Sequence, residues 1–117
     1  MKYTGHCHCN KVQFEVEIDF DSAKVITCNC SHCHQKGLVL TFVTPDKFKM
    51  ISGDDDLTDY QFNTKRIHHV FCKHCGVQPF GRGTNSKGES MMAINVRCLD
   101  GVELEKLTLT PVNGKDY

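Results

Sequence analysis

The chain is 117 residues long, balances 14 Lys+Arg against 14 Asp+Glu, and carries 8 Cys and 7 His. That length fits one domain covering residues 1–117, and the neutral balance speaks against a basic nucleic-acid-binding face or a polybasic membrane anchor. Its longest mostly apolar stretch, residues 38–43, falls far short of the ~18 residues of a membrane span.

Met1-Lys2-Tyr3-Thr4-Gly5 has no apolar run of the kind a signal peptide needs, so the expected location is cytoplasmic. Residues 12–18 alternate without a fault. Val12, Phe14, Val16 and Ile18 point one way and Gln13, Glu15 and Glu17 the other, the mark of a strand with one wet face. Residues 38–43 are apolar and β-branched, as in a strand buried on both sides. Pro45 can open one short helical turn over 45–48. Further short strands are predicted at 48–52, 57–62, 67–72 and 91–96, separated by turns at 53–56, 63–65 and 81–88. A last strand, 103–109, follows the Asp100-Gly101 turn with Leu107 and Leu109 on one face. No window sustains a helical repeat. The expected architecture is all-β, with about seven to nine short strands and the cysteines mostly in the connections between them.

Those cysteines fall into groups: Cys7-His8-Cys9, Cys28-Asn29-Cys30-Ser31-His32-Cys33, and Cys72-Lys73-His74-Cys75-Gly76, with Cys98 alone. In a reducing compartment such a set is not a disulfide framework. Thiolates one or two residues apart can reach the same tetrahedral ion, at about 2.3 Å each, and Gly76 offers the permissive backbone such a turn needs. The groups therefore point to zinc. By coordination arithmetic Cys7, Cys9, Cys72 and Cys75 make a closed structural site. Cys28, Cys30 and Cys33 supply three ligands, leaving a corner for water, substrate or a neighbouring histidine.

The histidines beside these cysteines (His6, His8, His32, His34 and His74) read as surface groups or as hydrogen-bond donors to thiolate or backbone. Within a strand pattern, His68 and His69 should face opposite sides, one wet and one buried. Cys98 reads as a small core hydrophobe near the strand that ends at Val96. Lys36, Arg66, Arg82 and Arg97 are candidate anion-binding groups whose simpler reading is solvated charge, and Asp54-Asp55-Asp56 is a solvated turn.

Taken in order, Gly5-His6-Cys7-His8-Cys9 with Val12 and Phe14, Cys28-Asn29-Cys30-Ser31-His32-Cys33 with Lys36-Gly37, Phe71-Cys72 with Cys75-Gly76, and Ile94-Asn95-Val96-Arg97-Cys98-Leu99-Asp100 carry a resemblance. The chain resembles the glutathione-dependent formaldehyde-activating (GFA) family over residues 5–109. The resemblance implies a β-tent, an all-β fold of packed antiparallel sheets built around two Zn2+ sites. Cys7, Cys9, Cys72 and Cys75 match the family's structural ligands, and Cys28, Cys30 and Cys33 its catalytic ones. It further implies a carbon–sulfur lyase resembling S-hydroxymethylglutathione synthase, whose partners are a small-molecule thiol such as glutathione and a small aldehyde such as formaldehyde. His34 stands where members often carry an arginine. The alternative expectation is a non-catalytic, zinc-stabilised thiol-binding or interaction module. With seven bound thiolates and two zinc ions the neutral chain becomes about −3, which sets it further from nucleic acid.

Overall fold

The computed structural model of the chain describes residues 1–61, 67–85 and 87–113. Strands dominate and build two sheets. The smaller holds β1 (Lys2–His6), β2 (Gln13–Glu17) and β5 (Phe48–Ser52) in the order β1-β2-β5, all antiparallel. The larger holds β3 (Val25–Cys28), β4 (Val39–Val43), β6 (Leu57–Tyr60), β7 (Ile67–Cys72), β8 (Phe80–Thr84), β9 (Ser90–Asn95) and β10 (Leu109–Val112). Their order is β10-β3-β4-β9-β8-β7-β6. The pairing of β10 with β3 is parallel, so the larger sheet is mixed rather than purely antiparallel.

The alternating residues of β2 set the main core. Val12, Phe14, Val16 and Ile18 are all buried, and they meet Val25, Val39, Val43, Val70, Phe80 and Ile94 of the facing sheet. Phe14 bridges the layers, stacking on Phe48 at 5.3 Å and meeting Phe80 edge-on at 5.8 Å. Burying each such ring stabilises the fold by about 1.5–3 kcal/mol. Gly5 sits opposite Phe14 in register, and a Cβ there would lie 2.3 Å from the ring, so the ring occupies the space glycine leaves.

β3 and β4 are buried on both faces over Val25–Ile26 and Val39–Thr41, while Phe42 is exposed. Their other side chains, Ile26, Leu38 and Leu40, form a second small cluster with Cys33. That cluster lies under a helix absent from the sequence-based reading, α1 (Ser31–Lys36). Cys30 caps its start and Gly37, at φ 64°, closes its end with an N–H to the carbonyls of Cys33 and His34. At six residues α1 is too short to show a 3.6-residue period.

The strands expected at 12–18, 38–43, 48–52, 67–72 and 91–96 are present within a residue or so at each end, as is the short helical turn, Pro45–Lys47. Three corrections stand beside them. The strand expected over 103–109 is a 3₁₀ turn, Leu104–Lys106, and the chain becomes extended only at β10, where it pairs with β3. The first half of the loop expected over 81–88, Gly81 to Thr84, belongs to strand β8. Its Gly81 is buried, and a Cβ there would come within 3.1 Å of the His68 carbonyl, so glycine marks a close approach rather than a turn. β1, with few apolar or alternating residues to mark it, and β3, an apolar β-branched run of only four residues, are absent from the sequence-based reading. The strand expected over 57–62 stops at Tyr60, and Phe62, the turn expected at 63–65, Arg66 and Ser86 lie outside the described residues.

Candidate metal centres

The first cluster joins two tight turns. After β1, the N–H of Asn10 bonds back to the Cys7 carbonyl at 3.2 Å, and the Val12 N–H points at Cys7 Sγ from 3.4 Å. After β7, the Gly76 N–H bonds to the Cys72 carbonyl at 2.8 Å with Gly76 at φ 81°. These turns bring Cys7, Cys9, Cys72 and Cys75 together with their sulfurs all within 4.8 Å of one another. Cys9 Sγ is 3.6 Å from both Cys7 Sγ and Cys72 Sγ. A disulfide would need about 2.05 Å, and every cysteine is a free thiol. Four thiolates around one ion at about 2.3 Å would stand about 3.8 Å apart, so the donor set fits tetrahedral zinc.

Cys75 and Cys9 depart from the ordinary thiol acidity in opposite directions. Burial pushes the Cys75 thiol up, but the N–H groups of Val77 and Cys9 outweigh it and bring it down to about 6. Cys9 goes the other way, to about 11: the Lys11 N–H draws it down, while burial and the thiols of Cys7, Cys72 and Cys75 prevail. The first thiolate thus forms readily and makes the next harder, the condition a divalent cation relieves.

Polar contacts brace this centre from outside. His6 Nδ1 lies 2.7 Å from the Cys7 carbonyl and its Nε2 3.0 Å from Asp100 Oδ1. Facing two acceptors, the ring is raised in pKa, first by the Cys7 carbonyl and then by Asp100. Asp54 and Asp55 are exposed, as expected of a solvated turn, but His74 Nε2 lies 2.7 Å from Asp56 Oδ1, so Asp56 holds the 72–76 loop.

The second cluster is local. Cys28 ends β3, Cys30 is the residue before α1 and Cys33 is buried within it. Their sulfurs lie within 4.8 Å of one another, and no fourth His, Cys, Asp or Glu joins them among the described residues. Cys30 Sγ accepts the Cys33 N–H at 3.4 Å. Burial raises the Cys30 thiol, but that N–H, the thiols of Cys33 and Cys28 and the His32 N–H lower it further. Cys33 is pushed well above the ordinary thiol range by burial and by its two cysteine neighbours. The loop is tied to β10 by Asn29 N–H to the Val112 carbonyl at 3.2 Å, and by Asn29 Nδ2 to Asn113 Oδ1 at 2.8 Å.

Two cavities flank α1. Cys28 itself lines a recess of about 300 Å³ with Thr27, Asn29, His34 and Val112. Around the helix, on the side of Ser31, His32, Gln35 and Lys36, lies a larger cleft of about 470 Å³ walled by Tyr60 and Phe71.

The remaining candidates resolve individually. His69 is 8% exposed while His68 is half-buried with Nδ1 2.6 Å from Asp59 Oδ2, so the pair does face opposite ways. Cys98 is half-buried, not fully in the core, in the turn Val96–Cys98. Burial, then the charges of Cys7 and Cys75, push its thiol up to about 12, so it is an inert neighbour of the four-thiol cluster. Arg97 spends its Nε on the Gly37 carbonyl at 3.0 Å. Lys36 is exposed, as a solvated charge would be, but its Nζ also donates to Gln78 Oε1 at 2.9 Å. Gln78 itself went unnoticed in the sequence, where nothing but its place three residues after Cys75 marks it.

Fold and site together define an all-β protein with two cysteine clusters compatible with metal, one of four thiols and one of three. Residues 2–113 match the family described as glutathione-dependent formaldehyde-activating enzyme, and the chain belongs to that family. Among solved structures it is similar to the crystal structure of a Rhodobacter sphaeroides protein, with 30% identity and a TM-score of 0.75. The match covers 92% of this chain and 99% of that one. No helix among the described residues is long and apolar enough to cross a membrane.

Proposed function

We propose that the chain is a zinc-dependent carbon–sulfur lyase of the GFA type, handling a glutathione-like thiol and a small aldehyde such as formaldehyde at Cys28, Cys30 and Cys33. The observation that carries this reading is the asymmetry between the clusters: four converging thiols in one, three beside an open recess in the other. Four thiolates complete a structural zinc, whereas three leave a position for reaction. Zinc held by the triplet supplies acidity that keeps a thiol ionised near neutral pH and polarises a carbonyl oxygen.

The chain's own residues do the positioning. Cys30 and Cys33 sit on one turn of backbone and Cys28 on the strand beneath it, so the three sulfurs are fixed before any ligand arrives. The Asn29–Asn113 contact holds the loop between Cys28 and Cys30. In the reaction, sulfur bonds to the aldehyde carbon, the carbonyl π bond opens, and the thiol proton ends on the new hydroxyl. The reverse reaction breaks the same C–S bond. Cys7, Cys9, Cys72 and Cys75 hold the structural ion that joins the N-terminal turn to the end of β7.

The test is the rate of glutathione–formaldehyde adduct exchange, measured by NMR with the two-zinc protein. Acceleration above the uncatalysed exchange, lost in Cys30→Ser with the fold intact, supports the lyase. Only the uncatalysed rate, with both zinc ions bound, overturns it in favour of a non-catalytic thiol-binding module.

A further inference from the structure

The larger cleft beside α1 is lined by the rings of His32, Tyr60 and Phe71, by the polar side chains of Ser31 and Gln35, and by one cation, Lys36. Lys36 is an exposed residue, yet its ammonium is held between Gln78 Oε1, at 2.9 Å, and the face of Phe71, whose centroid is 5.0 Å away. Gln78 is 5% exposed and its backbone carbonyl accepts Asn95 Nδ2 at 2.9 Å, so the residue that carries the acceptor is anchored in the core. Gln78 takes one of three ammonium hydrogens. Among the described residues no carboxylate lies within ion-pair distance of Lys36. Burial lowers the pKa of Lys36, and the nearby Cys33 thiolate pulls the other way. Across the cleft, His32 lies nearly parallel to Tyr60, with ring centroids 5.8 Å apart and planes at 19°.

An oriented cation with hydrogens to donate, set beside aromatic rings and the polar side chains of Ser31 and Gln35 in a space of about 470 Å³, is suited to a small organic anion. Its place on the helix adds a second argument. Lys36 stands three residues after Cys33, on the next turn of α1. Three thiolates and one divalent ion leave a net charge of about −1 at the triplet, which repels a second anion. A fixed ammonium one turn away offsets that repulsion.

We propose that Lys36 is the carboxylate anchor of the thiol substrate and that the cleft selects thiols bearing an acid group over neutral thiols. The carboxylate pairs with Lys36 Nζ and the carbon body lies along Phe71, Tyr60 and His32. This proposal rests on the reading of the triplet as the reacting centre.

The test uses 3-mercaptopropionate and its neutral amide, 3-mercaptopropionamide, titrated by calorimetry into the zinc-loaded chain, with Lys36→Met and Lys36→Arg alongside. Methionine keeps an unbranched side chain of similar length and removes the ammonium with its charge and its hydrogen bond to Gln78. The wild-type chain should bind the acid at least tenfold more tightly than the amide. Lys36→Met should erase that preference while leaving amide affinity and two zinc ions per chain, and Lys36→Arg should keep part of it. Equal binding of acid and amide by the wild type, binding of neither, or a preference that survives Lys36→Met overturns the proposal. Adduct exchange, measured separately, keeps the two readings apart. A Lys36-dependent acid preference without acceleration overturns the lyase alone, and acceleration without any acid preference overturns the anchor alone.

Discussion

Cys30 Sγ accepts the backbone N–H of Cys33 at 3.4 Å, so one sulfur both starts α1 and belongs to the three-thiol cluster. The two roles separate chemically. A serine hydroxyl caps a helix at least as well as a thiol, but it is a poor zinc ligand beside thiolate. Cys30→Ser should therefore keep α1 and the fold, moving the thermal midpoint by only a few degrees, while elemental analysis falls from two zinc ions to one. Loss of both ions, or of the native circular dichroism spectrum, would contradict this division.

Cys72 contrasts with it. This thiol is fully buried, packs within the main hydrophobic core, and stands 3.6 Å from Cys9 across the N-terminal turn. Structural zinc contributes binding energy of order 10 kcal/mol to folding, comparable to the whole stability of a small domain. Cys72→Ser should unfold the chain at room temperature, and a strong chelator should do the same to the wild type. Retention of cooperative unfolding in the zinc-free state would show that the fold does not depend on this ion.

The cysteine clusters were legible in the sequence because their geometry is local. Cys7 and Cys9, or Cys72 and Cys75, are aimed together by a few residues of turn, and spacing reports that turn directly. β2 was legible for a similar reason, since a period of two over 12–18 needs no partner to be read. What failed depends on long-range pairing. β10 is a strand because residues 109–112 lie parallel to β3, and β8 is a strand because its glycines fit between β7 and β9. The contact between Lys36 and Gln78 spans 42 residues and left no pattern in either segment. Helix α1 depends on one thiol cap and one left-handed glycine, signals that the metal-ligand spacing hid.

Two glycines allow steric and conformational costs to be separated. At Gly5 a Cβ would lie 2.3 Å from the tip of the Phe14 ring, which is held by Phe48 and Phe80. At Gly37 nothing lies within 4 Å, but the backbone is left-handed at φ +64°. Gly37→Ala should cost about 1–2 kcal/mol, the left-handed penalty alone. Gly5→Ala must displace a core ring and should cost more, about 2–3 kcal/mol. Urea denaturation of the two zinc-loaded variants measures both, and a reversed order would mean that the Phe14 ring shifts freely.

His69 makes stability depend on mildly acidic pH. Burial, then the neighbouring His32 and Lys36, lower its pKa from 6.5 to about 4; Asp59 acts upward and His68 downward. Below pH 6.5 the unfolded chain takes up a proton that the folded chain refuses until about pH 4. The unfolded state then binds more protons, so stability falls as pH drops through this window and is fully present above it. At pH 5 the loss due to His69 should be about 1–2 kcal/mol relative to pH 7. His69→Gln lacks the titrating ring and should lose correspondingly less between the two pH values. Urea denaturation at both, with zinc content verified in each sample, measures the difference. Parallel losses in the wild type and the variant would show that His69 does not carry this dependence.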